Sequence, residues 1–390
     1  MPWREVSVIE QRREFVRLAS LEEANVRELC RRFGVSPDVG YKWLRRYREG
    51  DTELADRSRR PHTSPGCSDA ATEAAVLSVR DTHPAWGARK IGRFLERQGQ
   101  KPPSASTVHA ILVRHGRVTA GTSQSQAPTR FEKEAPNELW QMDFKGWVRL
   151  VDGERCHPLT VIDDHSRFAP CLKACADQRG VTVRGHLEAA FRRHGLPQAM
   201  FVDNGSPWSD ASGERFTRFS VWLLKLGVGL IRSRPYHPQS RGKIERFHRT
   251  LAAEVFAFHR FRTLAEVQRA LDRWRDLYNF DRPHEALALR PPASRWRSSP
   301  RPMPDRVPDV EYDNGETVRT VPTTKAYVSF RGRHWKVPKA FQGERVAIRP
   351  LERDGRYGVF FASHRIATID LTNDKTVSHL SEHVSAISPG

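Results

Sequence analysis

Three acidic side chains stand where acids are costly to place. Asp143 interrupts the apolar run LWQMDF, between Met142 and Phe144. Asp203 closes the apolar run AMFV and is followed at once by Asn204 and Gly205. Glu245 lies on a helical stretch whose apolar positions are Ile244, Phe247, Leu251 and Val255, and there it shares a face with His248 and Arg249. A strand-centred Asp, a strand-ending Asp and a helix-borne Glu can meet at one edge of a sheet. Converging carboxylates repel one another and resist burial. Divalent cations offset that repulsion, and hard oxygen ligands suit Mg2+ or Mn2+. Asp163 and Asp164, adjacent in VIDDHS, form a second acidic pair that this reasoning alone leaves open.

The elements that must position these acids occupy 136–290. ELWQMDFKGWVRL, HPLTVIDDHS and RFAPCLKAC read as three successive strands separated by turn residues. Helix 181–195, strand 198–204, helix 213–227, strand 228–235 and helices 241–258 and 261–280 follow. Strands first and then alternating helix and strand imply a mixed sheet covered by helices, an α/β domain.

Ahead of it, residues 1–50 read as three short helices with Gly34 breaking the second, a helix-turn-helix unit. Its third helix is expected to turn Val39, Trp43 and Leu44 inward and to carry Lys42, Arg45 and Arg46 outward, towards a major groove. Gly40 within it costs about 1 kcal/mol of helix propensity. A polar linker, 51–68, brings Arg57, Arg59 and Arg60, which can track a DNA backbone. Residues 69–117 repeat the helix, Gly/Pro break, helix pattern, with Ser104 or Ser106 as N-cap of the last helix. A second linker, 118–135, leads into the α/β domain. Past a Pro- and Arg-rich boundary at 291–308, short strand-like runs over 309–372 suggest a small β-barrel, and 373–390 reads as a flexible tail.

Composition agrees with a DNA partner. The 390 residues carry a net charge of +19, and hydrophobic and charged fractions of 38% and 28% are those of a globular chain. Such an excess of cations points to nucleic acid, because each neutralised phosphate releases counterions. No apolar run approaches the ~20 residues of a membrane span. The start, MPWREVSVIEQRRE, lacks an apolar signal core, and five cysteines with no C-x-x-C unit fit a reducing cytosol. The expected location is cytoplasmic, associated with the nucleoid.

The strings LWQMDF, VIDDHSRF, FVDNGSPW and RPYHPQSRGKIERFHRTL resemble the catalytic core of insertion-sequence transposases of the DDE superfamily, related to retroviral integrases. The resemblance covers most of the chain, since helix-turn-helix units precede the core in that group too. It implies a ribonuclease-H-like α/β core in which Asp143, Asp203 and Glu245 are the catalytic, metal-binding triad. The VIDDHS segment becomes a neighbouring strand whose acids hold no metal. It further implies two ions per site, ~3.5–4 Å apart, clamping an in-line displacement at phosphorus. Asp143 would serve both, and no covalent protein–DNA intermediate would form. The expected partners are element terminal repeats and target DNA, bound by a homodimer or larger assembly. One departure stands out: 41 residues, 204 to 244, separate Asp203 from Glu245. The family spacing is about 35, and the excess fits a surface-loop insertion at 206–214.

Tyr236, His237, Gln239, Arg241 and Lys243 enter the Glu245 helix through a Pro/Gly-shaped turn, and polar groups beside a phosphodiester site position the DNA backbone. His248 and Arg249 are DNA-contact candidates on the same helix. The alternative readings are a metal-dependent nuclease that cuts without joining, and a DNA-binding regulator with a retired core. The regulator reading needs a broken triad, and all three carboxylates are present.

Overall fold

The computed structural model describes residues 7–57, 68–118, 132–203, 205, 207–208, 216–232 and 242–372. The chain divides into two compact units, Met1–Cys67 and Ser68–Gly390.

In the first unit, α1 (Val8–Ala19), α2 (Val26–Arg32) and α3 (Pro37–Arg48) start on the caps Ser7, Asn25 and Ser36, each accepting a backbone N–H of the first turn. Phe15, Val16, Ala19, Cys30, Trp43, Leu44 and Leu54 form the core. Two expectations fail here. Val39 is 39% exposed, and Gly40 faces the core in its place. A Cβ at Gly40 would lie 2.8 Å from Phe15 Cζ and closer still to Cys30 Sγ, so the glycine permits the close approach of α3 to its neighbours. Arg46 does not point outward: it is 8% exposed, stacks on Trp43 and donates to Asp51 and the carbonyl of Ala55. Asp51, three residues beyond the end of the helix, supplies the charge that compensates this burial. Lys42 and Arg45 are exposed as expected, and Arg57 is exposed with its guanidinium 3.5 Å from Asp51.

The second unit opens with α4 (Ala70–Thr82), α5 (Ala88–Arg97) and α6 (Ala105–Arg114), the last capped by Ser104. Their core of Val76, Trp86, Ile91, Val108 and Ile111 reaches Leu277 of the following domain. Arg97 donates to the carbonyls of Phe280 and Asp281.

That domain is built on β1 (Leu139–Phe144), β2 (Val148–Arg149), β3 (Arg155–Asp163), β4 (Cys171–Cys175), β5 (Ala199–Val202) and β6 (Gly229–Arg232). The strands run in the order β2-β3-β1-β5-β6, with β4 paired to β3. β1 and β4 are antiparallel to β3, whereas β5 is parallel to both β1 and β6. The first expected strand splits in two at Gly146, whose φ of +94° turns the chain. One face carries Trp140, Met142, Leu159, Val161, Met200 and Val202 against α7 (Gly180–His194) and α8 (Arg218–Lys225). The other face carries Ile162 and Leu172 against α9 (Gly242–Leu251) and α10 (Leu264–Asp276).

Helices α9 and α10 are shorter than their periodicity suggests, and each runs out through a π-helical turn, Ala252–Phe256 and Leu277–Asp281. Beside these turns Glu254 accepts from Arg282 and Trp274 in a buried ion pair. The expected boundary at 291–308 is instead a strap over the core. Trp296 stacks on Phe168 with ring centroids 4.5 Å apart, and Arg301 donates to the carbonyls of Pro197, Leu226 and Gly227.

The C-terminal strands are β7 (Thr317–Thr320), β8 (Tyr327–Phe330), β9 (Arg333–Lys336), β10 (Arg345–Pro350), β11 (Arg356–Phe361) and β12 (His364–Asp370). Among the described residues they pair as a four-stranded sheet, β12-β11-β10-β7, and a separate β8-β9 hairpin, so a closed barrel is not formed by this pairing. Strand β7 was not foreseen, because TVRT offers a single apolar residue and no alternation. Val221 and Leu224 of α8 belong to the core of this sheet.

Two measurements follow. Gly40→Ala should lower stability by roughly 1–2 kcal/mol, because overpacking costs ~1–3 and alanine returns at most ~1 of helix propensity; a raised unfolding temperature would refute the packing argument. Burial holds the imidazole of His284 down to about 3 and that of His194 down to about 4, with Arg282 and Arg193 the next contributors. Folded values below the unfolded ~6.5 mean stability present above pH ~6.5 and lost as pH falls towards 4, since only the unfolded chain takes up these protons. Unfolding temperature should therefore fall from pH 7 to pH 5, and His284→Phe should flatten the slope.

Candidate functional site

The parallel register of β1 and β5 pairs Gln141 with Phe201, which puts Asp143 level with Asp203, two residues further on. Adjacent strands lie ~4.8 Å apart. Alternation places Asp143 on the face opposite Trp140 and Met142, the face that α9 covers. One oxygen of Asp143 accepts the N–H of Phe144 at 2.9 Å, and one of Asp203 accepts the N–H of Gly205 at 2.9 Å. Ile244, Phe247 and Leu251 seat α9 in the core beneath the sheet, which leaves Glu245 exposed. Among the described residues no group of three or more His, Cys, Asp and Glu side chains could hold a metal ion. The fold thus brings Asp143 level with Asp203 and packs the helix of Glu245 against β1 and β3, without gathering the three carboxylates into one coordination shell.

Two polar contacts join α9 to the sheet. The Lys243 ammonium lies 2.5 Å from Asp164, itself 1% exposed. Burial pulls the Lys243 pKa down, against the attraction of Asp164. The Lys243 stem crosses from α9 to the sheet, and its charge compensates a buried carboxylate. The ring of His248 is half-buried, and its Nε2 lies 2.7 Å from Thr160 Oγ1. Arg249 is exposed. Tyr236, His237, Gln239 and Arg241, and with them Arg59 and Arg60, lie outside the described residues.

Asp163 and Asp164 serve the scaffold. Asp163 is fully buried and accepts from the N–H of Asn137 and from both N–H and O–H of Ser166, tying the entry of β1 to the end of β3. Burial still pushes its carboxyl up, with the neighbouring Asp164 adding to the shift. Asp164 accepts from Lys133 N–H, Gln141 Nε2 and Lys243. Sequence reasoning missed Thr160, whose hydroxyl donates to the carbonyl of Asp143 at 2.8 Å. Its one signal was a lone hydroxyl within the apolar run PLTVI.

Comparison with known proteins places these elements. The "integrase core domain" family matches residues 133–238 and again 226–292. A "helix-turn-helix domain" matches 11–62, a "homeodomain-like domain" 39–112, and the "IS481 family transposase, C-terminal domain" 316–377. An insertion element IS407 uncharacterized 31.7 kDa protein of Burkholderia multivorans is 27% identical over 55% of this chain and 76% of its own length. An insertion element IS476 uncharacterized 39.2 kDa protein of Xanthomonas euvesicatoria is 26% identical over 57% and 64%. A putative transposase for insertion sequence element IS5376 of Geobacillus stearothermophilus is 24% identical over 64% and 62%. An integrase core preceded by helix-turn-helix units defines a polynucleotidyl transferase of the DDE type. Within that class the chain belongs to the insertion-sequence transposases, DNA-binding proteins that catalyse DNA integration.

The roles of Lys243 and Arg249 on α9 can be separated experimentally. Lys243→Met strands the buried Asp164 charge and should cost about 3 kcal/mol of stability. Arg249→Ala should change stability by no more than ~0.5 kcal/mol. If Arg249 neutralises a phosphate, the same substitution weakens DNA binding alike for all sequences and reduces the salt slope by about 1. Equal stability losses in the two variants would contradict this division.

Proposed function

We propose that Asp143, Asp203 and Glu245 are the catalytic carboxylates of this transposase, cutting the DNA at the ends of a mobile element and joining the exposed 3′-hydroxyl to target DNA. The observation that carries the reading is the register of β1 on β5, which levels Asp143 with Asp203 on the face lined by the Glu245 helix. The donor chemistry fits a hard divalent cation: all three are carboxylates, with no thiolate among them. Two bound ions, Mg2+ or Mn2+, would activate the attacking hydroxyl or water and stabilise the leaving 3′-oxygen. Asp143 lies between the carriers of the other two acids and is the residue suited to serve both ions. Exposure of Glu245 on α9 leaves it able to swing towards the pair once their charge is compensated.

The remaining tasks fall to other residues. Lys42 and Arg45 on the exposed side of α3 are placed to meet DNA in its major groove, and a second three-helix unit lengthens the site read. The recognised DNA would be the terminal repeats of the element. Joining two ends in one event calls for a homodimer or larger assembly. Arg249 and the segment holding Tyr236, Gln239 and Arg241 would steady the backbone near the scissile phosphate.

Strand transfer with end-repeat DNA and Mg2+ tests this. Asp143→Asn, Asp203→Asn and Glu245→Gln should each reduce product by more than ~1,000-fold, roughly the loss of one essential catalytic group, with DNA affinity unchanged. Retained joining in any of the three would remove that residue from the triad. Cleavage without joining by the wild type would point to a nuclease.

A further inference from the structure

We infer that Thr160 and His248 are positioning residues that lock the Glu245 helix to Asp143 through a directed hydrogen-bond chain; this rests on the proposed role of the triad. Thr160 pairs with Asp143 across β3 and β1 and is fully buried. Its hydroxyl has one hydrogen, and that hydrogen goes to the carbonyl of Asp143, which can only accept. The 2.7 Å contact with His248 must then run the other way, with the imidazole Nε2–H donating to Thr160 Oγ1. The chain therefore reads His248 Nε2–H to Thr160 Oγ1, and Thr160 O–H to the Asp143 carbonyl.

The consequence is geometric. Apolar packing of Ile244, Phe247 and Leu251 decides which side of α9 faces the sheet, but a greasy stripe tolerates rotation and sliding. A hydrogen bond three residues after Glu245 fixes the turn that carries this carboxylate, since positions i and i+3 share a face. The same chain holds the main chain of Asp143 at its place opposite Thr160. Both ends of the proposed metal site are thus tied to one hydroxyl.

The test compares Thr160→Val and His248→Phe, which keep shape and delete the chain, with Thr160→Ser and His248→Gln, which keep a hydroxyl and a terminal N–H donor. Single-turnover strand transfer should fall about 10-fold in the first pair, and the Mg2+ concentration giving half-maximal rate should rise several-fold. The conservative pair should return to within ~3-fold of wild type, and the double variant Thr160→Val/His248→Phe should be no worse than its poorer parent. Independently of activity, 15N-histidine NMR, with His248 assigned by its loss in His248→Gln, should show a protonated Nε2 that shifts in Thr160→Val. Rates and Mg2+ requirement within ~2-fold of wild type in Thr160→Val and His248→Phe would overturn the inference. So would a Thr160→Ser variant as impaired as Thr160→Val, or an unprotonated His248 Nε2. Asp143→Asn separates the two layers: if it still joins DNA, the triad assignment falls, while the NMR signal continues to report on the chain.

Discussion

Strand β1 sits at the centre of the sheet, antiparallel to β3 and parallel to β5, and both registers must hold for the carboxylates to be neighbours. Side chains alternate along a strand, so a slip of one residue would carry Asp143 into the layer of Trp140 and Met142. Burial enforces the register. Trp140, Met142, Met200 and Val202 fill one face beneath α7 and α8, and a one-residue slip of β1 would turn Trp140 and Met142 out of that layer. Asp163 adds a polar constraint, because its buried carboxylate is satisfied only when Asn137 at the entry of β1 and Ser166 beyond β3 are both in place.

Helix α9 is held by three kinds of force with different tasks. Its apolar stripe chooses the face, the Lys243–Asp164 pair anchors its first turn, and the His248–Thr160 contact fixes the turn after Glu245. Together they leave Glu245 at the water-facing side of the site. Three acids brought close together repel one another, and a cation between them offsets that repulsion.

The second helix-turn-helix unit and the C-terminal sheet are not loose appendages. Arg97 caps carbonyls at the end of α10's π-helical turn, Leu277 enters the core of the small helical unit, and α8 contributes to both the central core and that of the C-terminal sheet. The strap 291–308 packs on the central core through Trp296 and Arg301.

Much of this was legible in the chain itself. Helix periods, the caps Ser36 and Ser104, the order of strands and helices, and the oddity of acids inside apolar runs are local properties, readable within a dozen residues. Asp143, Asp203 and Glu245 stood out for that reason. What a side chain meets across the fold is not local. Arg46 and Lys243 looked like surface cations until Asp51 and Asp164 were seen to face them, and Gly40 looked like a defect until Phe15 and Cys30 were found against it. The strap at 291–308 reads as a boundary because it is rich in proline and arginine, whereas Arg301 meets carbonyls of the core and Trp296 stacks on Phe168. Thr160 and His248 are 88 residues apart, and periodicity names a face without naming its neighbour. The sequence by itself singled out the three candidate acids; tertiary packing alone decided which polar groups hold their strands and helix in position.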